Sequence, residues 1–164
     1  MARLEGISPI TRLWRISNYA DLSGEGSRGG SGRWHTEGRF IVYLAENPAS
    51  AMLERIVHLT DRAPGGILPR VYQLLQISVP DDLATKPLSA LAPSDWREHG
   101  EFTRGIGDAW LASLETPLAR VPSAIVPHTW NYLLNPLHPD AAQLQIVEAI
   151  RERFDIRLFR FGAQ

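Results

Sequence analysis

The sequence predicts one domain of the α+β class, with small twisted β-sheets flanked by helices. Short segments with strand-like alternation and longer segments with helical periodicity both occur along the 164 residues, and they do not alternate regularly. A doubly wound sheet requires a regular succession of strand, helix and strand, so the irregular order argues against that architecture. The length suits a single domain, residues 1–164, with a core of its own.

The first part of the chain predicts two strands separated by a long loop. Residues 13–17 are typical of a short strand, and residues 39–44 alternate so that three apolar residues, beginning with Phe40, share one face. This alternation predicts a strand with one buried face. Between the two strands, residues 20–38 are rich in glycine and serine. A loop of this length inside a compact domain is often functional.

A capped helix follows the second strand. Asn47 and Pro48 are a typical helix start, because Asn accepts a hydrogen bond at the N-cap and Pro suits the first helical position. The helix is predicted to continue to residue 59. Its apolar residues form one continuous arc at 100° per residue, comprising Ala49, Met52, Leu53, Ile56, Val57 and Leu59. Glu54 falls outside this arc, so we expect it on the side that faces a cleft or water.

The rest of the chain predicts further strands, loops and two more helices. The expected order is a strand over 71–79, loop and turn over 86–99, a helix over 102–114, an edge strand over 121–127, a loop over 131–139, a helix over 141–154 and a closing strand over 156–161. The edge position of residues 121–127 follows from their prolines, which cannot donate to a neighbouring strand. In the first of these helices, Ile106, Trp110 and Leu114 share one face.

Composition narrows the class of protein. The net charge of −1 gives no electrostatic reason to expect nucleic acid or anionic lipid as a partner. No apolar run approaches the roughly 20 residues that span a bilayer, and the first residues lack the apolar core of a signal peptide. The absence of cysteine excludes disulfides and a thiolate nucleophile. Histidine spacing of the H-E-x-x-H type is also absent, so we expect no metal site. The lack of an apolar span, of a signal peptide and of cysteine together leads us to expect a cytoplasmic protein.

A glycine-rich segment ending in Arg33, Trp34 and His35 is the strongest local signal for a ligand. Glycine lets the backbone approach a ligand closely, and an arginine fork fits phosphate or carboxylate. Residues 24–29 match the G-x-G-x-x-G pattern of dinucleotide sites, but the glycines at 30 and 32 oppose the helix which that site requires. A flexible loop and a mobile loop that closes over a phosphate ligand both remain open.

The candidate site residues each have an ordinary structural interpretation as well. Arg33 can be a surface arginine, and Glu54 a solvated helix residue. Tyr43 can be a half-buried strand tyrosine, and Ser123 a serine that bonds its own turn, since no G-x-S-x-G surrounds it. Asn131 can be a loop residue. Taken alone, none of these residues decides the function.

Their order along the chain resembles the RES-domain toxins, which are named for an arginine, a glutamate and a serine. The resemblance covers nearly all of the chain. The segments that carry it are LWRI at 13–16, SGRWH at 31–35, GRFIVYLA at 38–45, MLE at 52–54, GDAWL at 107–111, VPSAIVP at 121–127, NYLLNPLHP at 131–139 and FDIRLF at 154–159. Residues before 13 and the extra glycines at 24–30 are less typical of the family.

The resemblance implies an ADP-ribosyltransferase-like fold in a toxin of a bacterial type II toxin–antitoxin pair. It implies NAD⁺ as the substrate and an Xre-type antitoxin with a carboxy-terminal MbcA/ParS-like domain as the partner. Arg33, Tyr43, Glu54 and Ser123 occupy the family's active-site positions, and Asn131 borders them.

The expected roles follow from cleavage of the nicotinamide–ribose bond. Glu54 stabilises an oxocarbenium-like state, and Arg33 holds the diphosphate or ribose. Tyr43 and Trp34 stack on the nicotinamide ring, and Ser123 bonds the carboxamide or ribose, or orients Glu54.

The acceptor stays open at this point. Water gives a glycohydrolase, inorganic phosphate gives a phosphorylase, and a host metabolic protein gives a mono-ADP-ribosyltransferase. A non-catalytic module that binds a phosphate ligand is the alternative from another class.

Overall fold

The computed structural model describes residues 11–62, 68–89 and 92–160 and shows the predicted α+β class. Its strands form one seven-stranded sheet rather than several small ones, in the order β4-β5-β6-β2-β1-β3-β7. All neighbours are antiparallel except β4 and β5. The strands are β1 Arg12–Ile16, β2 Val42–Ala45, β3 Val71–Ser78, β4 Thr85–Pro87, β5 Leu118–Pro122, β6 Trp130–Leu134 and β7 Gln145–Arg153. The two helices are α1 Pro48–Arg62 and α2 Gly100–Ser113.

Strand β2 is covered on both faces, because a separate hydrophobic cluster packs against each face of the sheet at this strand. Val42 and Leu44 belong to one hydrophobic cluster, whereas Ile41 and Tyr43 pack in another. The predicted strand with one buried face is therefore wrong. Double burial explains why apolar residues run consecutively here instead of alternating with polar ones.

The second hydrophobic cluster covers the face of the sheet to which Asn131 and Ser123 belong. It contains three tryptophans, Trp34, Trp96 and Trp110, packed against residues that include Val121 of β5 and Leu133 of β6. Alternate residues of a strand point to the same face. Asn131 therefore shares this tryptophan-covered face with Leu133, and Ser123 continues it two residues beyond Val121.

Helix α1 begins as predicted and continues three residues further than expected. The Asn47 side chain accepts a hydrogen bond from the backbone N–H of Ser50 at 2.8 Å. The apolar arc is not the more buried side: most of its residues are half-buried like Glu54, Ala49 is exposed, and Ala51, outside the arc, is only 6% exposed. Ala51 and Glu54 are three apart and lie on one helix face. Glu54 is therefore half-buried on a side that approaches the sheet, and its place in a cleft stays a prediction.

Helix α2 covers the tryptophan face through small and aromatic residues. Its buried residues are Thr103, Gly107, Trp110 and Leu111. The predicted apolar face is only partly right: Leu114 lies just past the helix end with φ 52° and is 44% exposed. Gly107 lies directly on the backbone of Trp34, where a Cβ atom would stand 1.8 Å from the carbonyl oxygen.

Three segments differ from the sequence prediction around β5 and β6. The predicted loop over 131–139 begins with most of β6, which pairs with β2 and β5. The predicted edge strand over 121–127 is an inner strand, β5, which ends at Pro122. Residues 86 and 87 belong to β4 and not to a loop. Pro122 lies at the end of β5, where its missing N–H removes no hydrogen bond from the middle of the sheet. Proline therefore did not mark an edge strand here.

The predicted helix over 141–154 is wrong. Residues 139–143 form a 3-10 helix, and β7 follows as the edge strand beside β3. Ile146 and Ile150 pair with Ile77 and Leu74, and most of the other residues of β7 are exposed. A spacing of four fits one face of a helix, so the periodicity was ambiguous. The register shift in β7 instead places Ile146 and Ile150 opposite Ile77 and Leu74, which point to opposite faces of the sheet.

The predicted closing strand over 156–161 is a 3-10 helix, Ile156–Phe159, and residue 161 lies outside the described residues. Asp155 caps this helix, since its carboxylate accepts from the backbone N–H of Arg157 at 3.0 Å. The hydrogen bonds from Arg157 lower the pKa of Asp155 to about 2. Among the described residues, neither helix is long and apolar enough to span a bilayer.

Candidate active site

Glu54 reaches from α1 to the adjoining ends of β5 and β6. Its carboxylate oxygen Oε1 accepts a hydrogen bond from the side-chain amide of Asn131 at 2.7 Å and one from the hydroxyl of Ser123 at 3.2 Å. Both contacts end on the same oxygen. Within the described part of the chain, Oε2 accepts no hydrogen bond. The carboxylate is thus held in one orientation with a second oxygen still available.

Ser123 is fixed by the turn that joins β5 to β6. Its backbone N–H donates to the carbonyl of Thr129 at 2.8 Å, and its hydroxyl oxygen accepts from the N–H groups of Ile125 and Val126 at 3.1 and 3.2 Å. The serine is 3% exposed. Because the hydroxyl oxygen already accepts two hydrogen bonds, its single proton is directed to Glu54. Ser123 therefore helps to orient the Glu54 carboxylate.

Asn131 holds Glu54 from the strand side. It lies opposite Ala45 of β2 and Val121 of β5 in the sheet register. Its amide nitrogen is committed to Glu54, while its oxygen Oδ1 is buried and has no hydrogen-bond partner among the described residues. The structure therefore brings together three of the predicted residues, Glu54, Ser123 and Asn131.

Arg33 is connected to this group through one intervening residue, Arg97. Its Nη1 donates to the backbone carbonyl of Arg97 at 3.2 Å, and its own carbonyl accepts from the hydroxyl of Thr103 on α2 at 2.6 Å. Arg97 in turn donates to the carbonyls of Ser123 and Ala124. Arg33 thus joins the Ser123 turn through Arg97 and makes no direct hydrogen bond to Glu54.

Trp34 is not placed to stack on a ligand, and the hydroxyl of Tyr43 is committed to bonds inside the protein. Trp34 is 2% exposed and packs against Trp96 with ring centroids 5.9 Å apart. The Tyr43 hydroxyl accepts from the backbone N–H of Trp34 at 3.1 Å and bonds Nδ1 of His35 at 2.8 Å. Burial raises the pKa of Tyr43 well above its ordinary value. The expected stacking role is corrected for Trp34, whose ring is buried, whereas the Tyr43 ring is half-buried and stays a candidate.

His35, which the sequence analysis placed in the glycine-rich segment without giving it a role, ties the glycine loop to this tyrosine. It is 3% exposed, and its Nε2 faces the carbonyls of Ser27 at 2.9 Å and Gly30 at 3.0 Å. Two carbonyl acceptors require the proton on Nε2, so Nδ1 accepts the hydrogen bond from Tyr43. The network leaves no room at Gly32, where a Cβ atom would lie 2.6 Å from the Tyr43 hydroxyl oxygen.

Replacing Tyr43 with Phe is expected to loosen the segment that carries Arg33. The change keeps the ring but strands the Trp34 N–H and the His35 Nδ1, at a cost of about 1–3 kcal/mol in unfolding free energy. Urea unfolding and hydrogen exchange at the Trp34 amide measure the two effects. Tyr19→Phe is the control, since Tyr19 is 69% exposed. Equal stability and equal exchange in both variants would show that the hydroxyl network does not hold the segment.

No group of three or more His, Asp or Glu side chains that could hold a metal occurs in the part of the chain that the structure describes. The site instead offers one carboxylate, hydroxyl and amide donors, and arginine. Arg97 and its neighbour Trp96 complete it, and sequence reasoning missed both. They lie in an irregular turn with no periodic or spacing signal, so only the fold reveals them.

Comparisons with known proteins identify the family of this chain. Residues 12–157 match the family profile described as "RES domain". The chain belongs to the RES domain family. It is 47% identical over 134 residues to "Toxin Res" of Pseudomonas putida, an alignment that covers 82% of this chain and 90% of that protein. It is 37% identical over 161 residues to the "Prs ADP-ribosylating toxin" of a Sphingobium species, covering 92% and 98%.

A solved structure shares the fold of this RES domain. A chain of the M. tuberculosis MbcT–MbcA toxin–antitoxin complex superposes with a TM-score of 0.65 at 21% identity, covering 93% of this chain and 90% of that one. This likeness confirms the predicted ADP-ribosyltransferase-like α+β fold. By family, therefore, the chain is a RES-domain toxin, as the sequence resemblance predicted.

Proposed function

We propose that this RES domain is an NAD⁺-cleaving enzyme of the ADP-ribosyltransferase type, acting as the toxin of a toxin–antitoxin pair. The observation that carries the proposal is the single half-buried carboxylate of Glu54, held on one oxygen by Ser123 and Asn131. A carboxylate fixed in advance stabilises positive charge that develops beside it without reorganising during the reaction.

One carboxylate is sufficient for this bond. The nicotinamide of NAD⁺ is a cationic leaving group that departs neutral, so no second acid is needed to protonate it. Cleavage passes through an oxocarbenium-like ribose, the kind of state that a neighbouring carboxylate stabilises in glycoside hydrolysis. The free Oε2 of Glu54 is available to this charge or to a ribose hydroxyl, while Oε1 stays fixed by its two donors.

Arg33 is assigned to the diphosphate of NAD⁺. A guanidinium forms charge-assisted, bidentate hydrogen bonds with phosphate. Ser123 and Asn131 position Glu54. Trp34 and the hydroxyl of Tyr43 support the segment that carries Arg33. The buried Trp34 ring does not contact the nicotinamide ring, whereas the half-buried Tyr43 ring stays a candidate for stacking on it.

The acceptor of the ADP-ribose separates two candidate reactions. Water or phosphate makes the enzyme a glycohydrolase or phosphorylase that depletes NAD⁺. Transfer to a protein is favoured by the 37% identity to a relative named as an ADP-ribosylating toxin. Incubation with NAD⁺, with and without phosphate and bacterial extract, distinguishes ADP-ribose, ADP-ribose phosphate and a protein heavier by one ADP-ribose. A folded chain that produces none of these products is instead a binding module.

The proposed partner is an Xre-type antitoxin with an MbcA/ParS-like domain, which blocks the site until the toxin is released. The long loop over 20–35 supports this idea, since such loops close over ligands and are readily held by a partner. The Glu54→Gln variant, which preserves NAD⁺ during titration, is expected to bind NAD⁺ when free and not when complexed with its antitoxin. Calorimetry on a complex verified to stay assembled measures this, and equal affinities would refute occlusion.

A further inference from the structure

Arg97 is an exposed arginine placed against the backbone of the Ser123 turn. It lies in the turn before α2, outside every residue assigned to the site by the sequence. Its Nε donates to the carbonyl of Ala124 at 3.3 Å, and its Nη2 donates to the carbonyl of Ser123 at 3.4 Å. Arg97 is therefore bonded to the same turn that carries Ser123, the residue that orients Glu54.

Arg33 and Arg97 share one aromatic support. The guanidinium carbon of Arg33 lies 5.4 Å from the centroid of the Trp96 ring, and that of Arg97 lies 4.9 Å from it. Trp96 is 8% exposed, so it is a fixed part of the core. Arginine groups that rest on an aromatic ring are pre-organised, and they lose less side-chain freedom when a ligand binds.

Among the described residues, neither of these two guanidinium groups is neutralised by an acidic side chain. In the described residues no carboxylate forms an ion pair with Arg33 or Arg97. Other arginines of the chain do have acidic partners, as Arg28 has Glu25, Arg39 has Asp108 and Arg157 has Asp155. Two unpaired positive charges beside Glu54 form an electrostatic complement to an anion with two negative charges.

We infer that Arg97 is a second diphosphate-binding residue, which together with Arg33 grips the two phosphates of a dinucleotide. The inference rests on the proposed function and deepens it by naming the charged part of the substrate that this surface recognises. A diphosphate ester carries one negative charge on each phosphate, and each arginine fork matches one of them. Arg97 reaches the phosphates while its other N–H groups remain on the Ser123 turn.

A purely structural role for Arg97 is distinguishable by substitution. Arg97→Ala removes both the charge and the hydrogen bonds to the turn. Arg97→Gln removes the charge but keeps an amide that can donate to the Ser123 or Ala124 carbonyl and rest on Trp96. A brace would be restored by Gln, whereas a phosphate-binding residue would not. Arg151→Ala, an exposed arginine on the edge strand β7, is the charge-matched control.

The experiment is a calorimetric titration of ADP-ribose, which retains the diphosphate and lacks nicotinamide, into the antitoxin-free protein and each variant. Both Arg97 variants are expected to weaken binding about tenfold or more, Arg33→Ala at least as much, and Arg151→Ala hardly at all. ADP and AMP are titrated in parallel. The preference of the wild type for ADP is expected to fall to near unity in Arg97→Gln, an effect that a brace would not produce.

Binding of ADP-ribose by Arg97→Gln with wild-type affinity, or no binding by the wild type, overturns the inference. Release of nicotinamide from NAD⁺, measured separately, keeps the two claims apart. Arginine-dependent binding without nicotinamide release leaves the inference standing and removes the proposed reaction. Nicotinamide release together with unchanged ADP-ribose binding in Arg97→Gln overturns the inference and leaves the proposed reaction standing.

Discussion

Replacing Glu54 with Gln is expected to lower the rate of NAD⁺ cleavage about 100-fold or more, because removing one preorganised electrostatic stabiliser typically costs that much. The side-chain oxygen of Gln can still accept the hydrogen bonds from Ser123 and Asn131, so the change removes charge and preserves shape. Nicotinamide release at saturating NAD⁺ measures the effect on kcat. Toxicity to cells that express the variant without antitoxin is expected to fall in parallel.

Glu148→Gln serves as the matched control for this prediction. Glu148 is an exposed residue of the edge strand β7, so the same chemical change there is expected to leave the rate unchanged. Thermal unfolding of both variants verifies that the fold is kept. If Glu54→Gln cleaves NAD⁺ within about threefold of the wild type, Glu54 is not the carboxylate that acts on the ribose.

Gly107→Ala is expected to destabilise the protein by about 3 kcal/mol or more, the upper part of the range for overpacking a core. A Cβ atom at this position would stand 1.8 Å from the Trp34 carbonyl oxygen and 2.7 Å from its carbonyl carbon. These are backbone atoms, so relief requires α2 to move away from the segment that carries Arg33. Urea unfolding measures the loss, and ADP-ribose binding is expected to weaken with it.

The same substitution two residues earlier has the opposite expected sign. Gly105 is an exposed position on the same helix, and no atom lies within 4 Å of its Cβ direction. Gly105→Ala is expected to stabilise the protein by about 0.5–1 kcal/mol, since alanine is the better helix former. Similar unfolding midpoints for Gly105→Ala and Gly107→Ala would contradict the close packing of α2 on Trp34.

A sequence signal that acts over a few residues predicted the start of α1 correctly, whereas several longer segments were predicted wrongly. The start of α1 followed from Asn47 and Pro48, because a cap and a first-turn proline act within one turn. The strand β7 could not be separated from a helix, since isoleucines four apart fit one face of a helix, whereas a register shift places them on opposite faces of the sheet. What decided the outcome was the neighbouring strand β3, which local periodicity does not reveal.

The candidate site depends on contacts that local patterns cannot supply. Glu54 meets Ser123 and Asn131 across 69 and 77 residues of chain, and only the family resemblance named these three residues together in advance. Burial reversed the expectation for Trp34, whose ring packs against Trp96 in the core and whose backbone lies against Gly107. Arg97 was missed because its role depends on the fold bringing its turn to that of Ser123.

The products of NAD⁺ incubated with purified, antitoxin-free protein show most directly whether this RES domain cleaves the nicotinamide–ribose bond. The proposed chemistry predicts free nicotinamide in a one-to-one ratio with the NAD⁺ consumed, and an adenine-containing product that retains both phosphates. Chromatography with mass detection resolves these species. Two results would contradict cleavage of the nicotinamide–ribose bond. One is the formation of nicotinamide mononucleotide and AMP, which requires cleavage between the phosphates. The other is intact NAD⁺ in the presence of folded protein.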